Sequence, residues 1–129
     1  MVNILLVTHG DIGKEMLQCL QTILKETPNI KAVSVFHNQS PSEIHAKIEK
    51  ELSSNDTLIL TDLFGSTHCN QCLTFLNKGN VEIVSGFNFP ILMKLSTMKD
   101  ELTLSELAIY VKNYGQKNIV SAKEVVKGN

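Results

Sequence analysis

The chain has 129 residues, and 43% of them are hydrophobic, so it is long enough to bury a core without disulfides or a structural metal. Twelve basic residues against thirteen acidic ones give a net charge of -1, which gives no reason to expect nucleic acid or an anionic membrane surface as a partner. Because all twelve basic residues are lysines, an anion must be held by backbone amides, hydroxyls or helix ends rather than by arginine.

The sequence begins without the basic and long apolar segments of a secretion signal, and no apolar run approaches the ~18 residues that span a bilayer. We therefore expect a cytoplasmic protein that does not insert into a membrane. Its three cysteines, an odd number, are interpreted as reduced thiols. No repeat or linker divides the sequence, so residues 1–129 are predicted to form a single domain.

The first predicted strand is an apolar run that stops at a histidine. Residues 4–7 are Ile, Leu, Leu and Val, which is typical of a strand buried on both faces, and His9 follows. Turn residues at 10–13 lead into a helix with apolar side chains at helical spacing over residues 12–24, and Pro28-Asn29 ends it. His9 would therefore lie where a parallel strand ends and a helix begins, the edge at which open α/β sheets bind ligands.

Two further strand and helix patterns follow. Residues 32–36 form the second predicted strand, and residues 40–43 supply an N-cap, a proline at the first helical position and a capping-box glutamate. Helix two is therefore predicted to begin near Pro41. The third strand, residues 57–61, stops at Asp62, and the loop after it leads into another helix.

The last third of the chain continues the alternation. A fourth strand is predicted at 81–84, followed by a helix from Phe89 through Leu95 or beyond. A capping box at 103–106 begins a helix for which Gly115 is the expected C-cap, and Asn118 to Val126 is predicted as a final strand. The pattern predicts an α/β fold with a mostly parallel central sheet and helices on both faces.

His9 and Asp62 are predicted to lie together. If strands one and three are neighbours, as in the flavodoxin-like order, both residues emerge at the carboxyl edge of the sheet. A carboxylate that accepts the proton of one ring nitrogen leaves the other nitrogen ready to attack, and it stabilises the cationic ring that results. Helix N-termini near Asp11 and Thr67 would point amides at the same place, which suits phosphate. Considered alone, His9 could equally be a residue that caps the strand or a catalytic one, and Asp62 alone is more commonly an N-cap or turn residue. Their pairing favours a histidine nucleophile.

Other polar residues have two interpretations. Thr8 and Thr67 are hydroxyl caps by default, and either could donate to a phosphoryl oxygen. His68, Cys69 and Cys72 have the spacing of a metal or redox motif, but no second ligand pair exists, so the two cysteines are more simply small core residues. No metal or cofactor is expected.

Three segments in series resemble the IIA component of the mannose-type (mannose–fructose–sorbose) bacterial sugar phosphotransferase system. They are Val7-Thr8-His9-Gly10, Thr61-Asp62-Leu63-Phe64-Gly65, and Val84-Ser85-Gly86-Phe87-Asn88-Phe89-Pro90-Ile91-Leu92. The resemblance covers nearly the whole chain. It implies a phosphotransferase in which His9 is phosphorylated by the carrier protein HPr, is oriented by Asp62, and passes the group to a IIB component.

Further site residues are expected from the residue types near His9 and Asp62, and the resemblance adds an assembly. Thr67 and, around it, Thr8, Gly10, Gly65 and Ser66 are expected to bind the phosphoryl group. A homodimer is also implied, in which residues 118–126 add antiparallel to the sheet of the other subunit. Where the family usually reads Gly-Gly-Ser/Thr-Pro, this chain has Gly65-Ser66-Thr67-His68, a departure that concerns loop conformation and partner choice more than the phosphorylation of His9.

Three functional hypotheses follow from these residues. The first is histidine-to-histidine phosphoryl transfer for sugar uptake, which needs neither nucleotide nor metal. The second is a IIA-like regulatory module whose phosphorylation reports sugar flux without transport. The third, a receiver-like domain phosphorylated on Asp62, is disfavoured, because the acidic pair that would hold Mg²⁺ after strand one is replaced by Thr8-His9-Gly10.

Overall fold

A computed structural model describes residues 2–27 and 29–127. In this part of the chain four strands form one sheet in the order β2-β1-β3-β4, and every neighbouring pair is parallel. The strands are β1 (Asn3–His9), β2 (Ile30–Val35), β3 (Thr57–Thr61) and β4 (Val81–Ser85). The predicted parallel sheet is confirmed, and so is the placement of the first and third strands side by side.

The helices that cover the sheet are α1 (Ile12–Ile23), α2 (Pro41–Glu51), α3 (Thr67–Leu73), α4 (Phe89–Thr97) and α5 (Leu104–Lys117). A further short helix, α6 (Ala122–Val126), has no buried residue. A short 3₁₀ turn, Leu76–Lys78, follows α3. In the described part of the chain, no helix is both long and apolar enough to cross a membrane.

The central strands are buried because each has a helical layer on both faces. Along β1, Ile4 and Leu6 belong to one core cluster and Leu5 and Val7 to the other, since successive side chains of a strand point to opposite faces. The first cluster contains buried side chains of α1, α4 and α5, and the second contains side chains of α2 and α3. The prediction of helices on both faces is therefore confirmed, and a hydrophobic core packs against each face of the sheet.

The capping boxes begin α2 and α5 where the sequence predicts. The Ser40 hydroxyl accepts from the Glu43 amide at 3.2 Å while the Glu43 carboxylate accepts from the Ser40 amide at 3.0 Å. Thr103 and Glu106 make the same exchange at the start of α5. Each box provides acceptors for amides that have no partner within the helix.

Gly115 was predicted to end the fifth helix, and this prediction is wrong. α5 continues to Lys117 with Asn118 as its C-cap, and Gly115 is a buried residue inside the helix. A Cβ added at Gly115 would lie 2.5 Å from Cδ1 of Ile91 on α4. The glycine therefore serves the close approach of α4 and α5 rather than helix termination.

The predicted final strand is also wrong. Residues 122–126 form the helix α6, and the described residues contain no strand after β4. The pairs Ile119-Val120 and Val125-Val126 favour a strand, but the segment between them contains Ala, Lys and Glu, which are good helix formers. A strand also needs hydrogen bonds to a partner strand, and within the described chain this segment pairs with neither edge strand of the sheet, β2 or β4.

Smaller differences concern element boundaries. β2 begins at Ile30, two residues before its predicted start, and α1 ends at Ile23 with Leu24 as its C-cap. Pro28, which was predicted to end that helix, lies outside the described residues.

Candidate functional site

His9 is the last residue of β1, and its side chain is 54% exposed at the carboxyl edge of the sheet. The next residue, Gly10, has φ +48°, a left-handed conformation that glycine adopts without a steric penalty. The Gly10 amide donates to the Val35 carbonyl at 2.7 Å, which attaches the turn to the end of β2. The backbone thus leaves the sheet immediately after His9 and leaves the imidazole accessible.

Asp62 directly follows β3 and contacts His9 twice through one oxygen. Its Oδ2 accepts the His9 backbone amide at 3.0 Å and lies 2.8 Å from Nδ1 of the His9 ring. A proton on Nδ1 leaves the Nε2 lone pair free and directed away from the carboxylate. The predicted His9–Asp62 pair is present, with geometry suited to a nucleophilic Nε2.

His68 is a second histidine on the same carboxylate, and the sequence analysis missed it as a site residue. Its Nε2 lies 2.7 Å from Oδ1 of Asp62, and its side chain is 2% exposed. The two imidazole rings pack edge to face, with centroids 4.4 Å apart and planes at 89°. One signal could have revealed it: a histidine stands in the first turn of α3, where the resembled family has proline.

The Asp62 carboxylate is held in its ionised form. Partial burial raises its pKa, but hydrogen bonds from the His68 ring, the His9 ring and the His9 backbone lower it more in sum, and the net result is a pKa below the ordinary value. An ionised carboxylate only accepts hydrogen bonds, so the facing nitrogens of both rings must carry protons. This assigns the Nδ1–H form to His9 and the Nε2–H form to His68 when each is neutral.

Thr8 lies next to His9 but faces the core rather than the site opening. Its hydroxyl is buried, accepts the Gly13 amide at 2.8 Å and donates to the Gly10 carbonyl at 3.4 Å. Gly13 packs closely there, because an added Cβ would lie 3.1 Å from Cβ of Leu6. The structure thus gives Thr8 a role in shaping the β1–α1 turn, because both hydrogen bonds of its hydroxyl are made within that turn.

The loop from Leu63 to Ser66 joins β3 to α3. Gly65 is exposed with φ +86°, and Ser66 is the N-cap of α3. The Ser66 hydroxyl donates to the Leu63 carbonyl at 2.8 Å and accepts the Cys69 amide at 3.1 Å. Thr67 is exposed at the first position of α3, and within the described residues its hydroxyl has no hydrogen-bond partner. Thr67 is therefore the hydroxyl of this loop that is available to a ligand.

Several large apolar side chains are exposed around His9. They follow three different strands at the same edge of the sheet: Ile12 after β1, Phe36 after β2, and Leu63 and Phe64 after β3. Phe64 is 72% exposed. An apolar rim around a polar site is a feature of surfaces that bind other proteins.

The two cysteines of α3 are core residues, as the simpler interpretation predicts. Cys69 and Cys72 are buried, and burial together with neighbouring Cys69 raises the pKa of Cys72 to about 12. A thiol with such a pKa is a poor nucleophile and a poor metal ligand. Among the described residues, the side chains whose ligand atoms lie close enough to hold a metal, within 4.8 Å of one another, are instead His9, Asp62 and His68. In this structure both imidazoles hydrogen-bond to the Asp62 carboxylate.

The fold and the site define an α/β protein with flavodoxin-like strand order that carries a His–Asp pair at the carboxyl ends of its two central strands. The family model described as PTS system fructose IIA component, EIIA-man, matches residues 3–112. The chain therefore belongs to the EIIA-man family of the sugar phosphotransferase system.

Individual relatives agree with this assignment. The chain is 24% identical to the fructose-specific EIIA component of Bacillus subtilis, over 96% of this chain and 88% of that protein. It is also 24% identical to the sorbose-specific EIIA component of Lacticaseibacillus casei, over 99% of this chain and 96% of that one. Among solved structures, the mannose/sorbose-specific IIA subunit of Enterococcus faecalis superposes with a TM-score of 0.86 and 27% identity, covering 92% of each chain.

Proposed function

We propose that this protein is a phosphohistidine carrier of the phosphoenolpyruvate-dependent sugar phosphotransferase system. It accepts a phosphoryl group from HPr on Nε2 of His9 and passes it to a histidine of a IIB component for sugar uptake. The single observation that carries the proposal is the 2.8 Å contact between Nδ1 of His9 and Asp62, which leaves an exposed Nε2 as nucleophile. Membership of the EIIA-man family supports it.

The reaction is an in-line exchange between two imidazoles. The Nε2 lone pair of His9 attacks phosphorus while the bond from phosphorus to the histidine nitrogen of phospho-HPr breaks, and its electron pair returns to that nitrogen. The His9 ring, protonated on Nδ1 and phosphorylated on Nε2, is then cationic, and Oδ2 of Asp62 stabilises that charge. In the transfer to IIB, a histidine nitrogen of IIB attacks phosphorus, and the bond from phosphorus to Nε2 of His9 breaks.

We assign the phosphoryl oxygens to donors around Nε2. The Thr67 hydroxyl is exposed and uncommitted within the described residues, and the Gly65 backbone amide lies in the same exposed loop. Gly10 borders the same edge, but its amide is engaged with the Val35 carbonyl, so it shapes the turn beside His9. Ser66 and Thr8 act less directly, because their hydroxyls already form hydrogen bonds that shape the two connections. Such a site suits a chain without arginine.

The donor and the acceptor are proteins, and the apolar rim of Ile12, Phe36, Leu63 and Phe64 supports docking of both on the face around His9. We also propose a homodimer formed through the C-terminal segment. Ile119, Val120, Val125 and Val126 are exposed, and Val126 is 82% exposed. Because residues 122–126 are helical, exchange of this segment as an antiparallel strand would require α6 to unwind first.

Phosphorylation by purified components tests the carrier proposal. Incubation with phosphoenolpyruvate, enzyme I and HPr is expected to label the protein with acid-labile, alkali-stable phosphate. The His9→Gln variant is expected to take up no label, and addition of a cognate IIB is expected to remove label from the wild type. A wild type that stays unlabelled contradicts the proposal.

A purely regulatory module is the second candidate, and the Ser66-Thr67-His68 departure favours it, because this loop lies beside the docking face. Its signature is a regulator that binds only one phosphorylation state of the protein, combined with no phosphoryl delivery to any IIB. Efficient delivery to IIB rules this candidate out.

A further inference from the structure

The Asp62 carboxylate is divided between two histidines. Oδ2 accepts hydrogen bonds from the backbone N–H and the ring Nδ1–H of His9, while Oδ1 accepts one from Nε2–H of His68 at 2.7 Å. A carrier needs only the first of these interactions to orient its nucleophile. The second one ties the carboxylate to a buried side chain of α3.

We infer that His68 is a positioning residue, which holds Asp62 in the orientation that fixes the His9 tautomer and so controls how fast His9 accepts a phosphoryl group. The inference rests on the proposed function of His9 and deepens it.

The hydrogen-bond pattern supports this inference because His68 itself is held firmly. Its ring is 2% exposed, and it belongs to the first turn of α3. The Ser66 hydroxyl lies 3.2 Å from His68 Nε2 and gives its own proton to the Leu63 carbonyl, so His68 must be the donor toward both neighbours. The Asp62 side chain is only 15% exposed, so loss of the His68 proton would leave Oδ1 without full replacement by water.

A second contact limits the His9 ring directly. The His68 ring stands edge to face against it at 4.4 Å between centroids, which reduces the space for His9 to swing away from Asp62. His68 cannot itself receive the phosphoryl group, because its Nε2 is committed to Asp62 and its side chain is almost wholly buried. Its effect therefore passes through Asp62 and the His9 ring.

The test uses two variants of similar size that differ in one proton donor. His68→Gln places a side-chain N–H within reach of Oδ1, whereas His68→Met keeps comparable bulk and donates nothing. Single-turnover phosphorylation by phospho-HPr is expected to slow roughly 10- to 100-fold in His68→Met, the range for a lost hydrogen bond to a charged group, and to recover to within a few-fold of wild type in His68→Gln.

A spectroscopic measurement on the unphosphorylated protein is independent of phosphoryl transfer. In ¹⁵N spectra of the wild type, the signals of the neutral imidazole rings are expected to show His9 with its proton on Nδ1 and His68 with its proton on Nε2. His68→Gln is expected to keep the His9 tautomer, and His68→Met is expected to give a mixture of the two.

The outcomes separate this inference from the proposed function. Equal rates and equal His9 spectra in His68→Met and wild type overturn the inference, as does a His68→Gln variant as impaired as His68→Met, because packing alone would then explain the effect. If His68→Met does not fold, the wild-type spectrum still decides: a His68 proton on Nδ1 overturns the inference. A wild type that is not phosphorylated, but shows the expected spectra, refutes the carrier proposal and the control of its rate, and it supports the role of His68 in fixing the His9 tautomer.

Discussion

The two connections that carry the His–Asp pair are built in contrasting ways. The turn after β1 is short and internally bonded: the buried Thr8 hydroxyl accepts the Gly13 amide, and Gly13 packs against Leu6 and Thr8. The loop after β3 exposes Leu63, Phe64 and Gly65. The nucleophile therefore lies on a rigid support, while the group that orients it leads into a loop with an exposed surface.

The contrast indicates where this chain can vary without losing its chemistry. A change in the first turn would move His9 itself, whereas a change in the second loop alters what surrounds it. The departure from the family motif, at Ser66 and His68, lies in the second loop. Three substitution experiments and one pH experiment address this division, and they are given from the largest expected effect to the smallest.

Removing the charge that joins the two connections should have the largest effect. In Asp62→Asn the amide cannot accept from all three N–H donors that now face the carboxylate, so the His9 tautomer is lost. Phosphoryl acceptance from phospho-HPr should fall roughly 10³- to 10⁴-fold, by analogy with the loss of other carboxylates that orient a histidine. The measurement is single-turnover labelling.

Asp11→Asn is the matched control for that experiment. Asp11 also follows β1 at this edge, but the partner of its Oδ1 within residues 2–27 and 29–127 is a single hydroxyl, that of Ser34 at 2.6 Å, and an amide oxygen can accept that hydrogen bond equally. Acceptance should stay within a few-fold of wild type. A similar loss in both variants would mean that general charge at the edge, rather than the tie between the two connections, controls the reaction.

The exposed second loop should influence partner binding more than stability. Phe64→Ala removes a large exposed side chain from the apolar rim, and it should raise the KM for phospho-HPr about tenfold with kcat little changed. Ile23→Ala is the control, because Ile23 is exposed at the far end of α1. If Phe64→Ala and Ile23→Ala behave alike, docking does not use this loop.

A pair of threonine substitutions should separate a residue that stabilises the fold from one that contributes to phosphoryl transfer. Thr8→Val leaves the buried Gly13 amide without its acceptor, so the free energy of unfolding should fall by about 1–3 kcal/mol. Thr67→Val changes an exposed residue and should alter that free energy by no more than about 0.5 kcal/mol, yet slow phosphoryl acceptance about tenfold. Urea unfolding and single-turnover labelling of both variants provide the measurements.

If Thr8→Val slowed acceptance and Thr67→Val lowered stability instead, the two connections would not differ in the way proposed. A stable Thr8→Val protein with impaired acceptance would indicate that the Thr8 hydroxyl donates to the phosphoryl group, the alternative that the sequence left open.

Acid should weaken the link between the connections. The folded-state pKa of Asp62 is lowered by its hydrogen bonds to the two histidines, so its stabilising effect is fully present above the ordinary carboxyl pKa of about 3.9. That effect is lost as the pH falls from there through the folded-state pKa. Urea unfolding of wild type and Asp62→Asn should therefore give free energies that converge in this acidic range. A difference that stays constant with pH would show that Asp62 contributes no charge-dependent stability.

Much of the fold was predictable because it depends on local chemical patterns. The apolar runs that end at His9 and Asp62, together with the Ser40 and Thr103 capping boxes, determine elements within a few residues of themselves. The contact between His9 and Asp62 was predictable once parallel strands one and three were assumed to be neighbours.

The errors arose where a residue's role depends on a distant contact. Gly115 has the composition of a helix end, but its role is set by Ile91 on α4, 24 positions earlier in the chain. His68 was considered only as part of a cysteine motif, and its role is set by the Asp62 carboxylate. The segment from Asn118 to Val126 has strand-forming side chains but pairs with no strand of the described chain, and its residues 122–126 follow their local helix propensity instead.

The hydrogen bond from the His9 backbone amide to Asp62 has a consequence for dynamics. Val7 pairs with Thr61 at the end of the sheet register. Two residues further along β1, the His9 amide donates to the Asp62 side chain rather than to a backbone carbonyl. The carboxylate that orients the imidazole is thus the last rung of the β1–β3 ladder. Deuterium exchange at the His9 amide should consequently report on site integrity: protection comparable to the central strands in wild type, and loss of it at this one amide when Asp62 turns away.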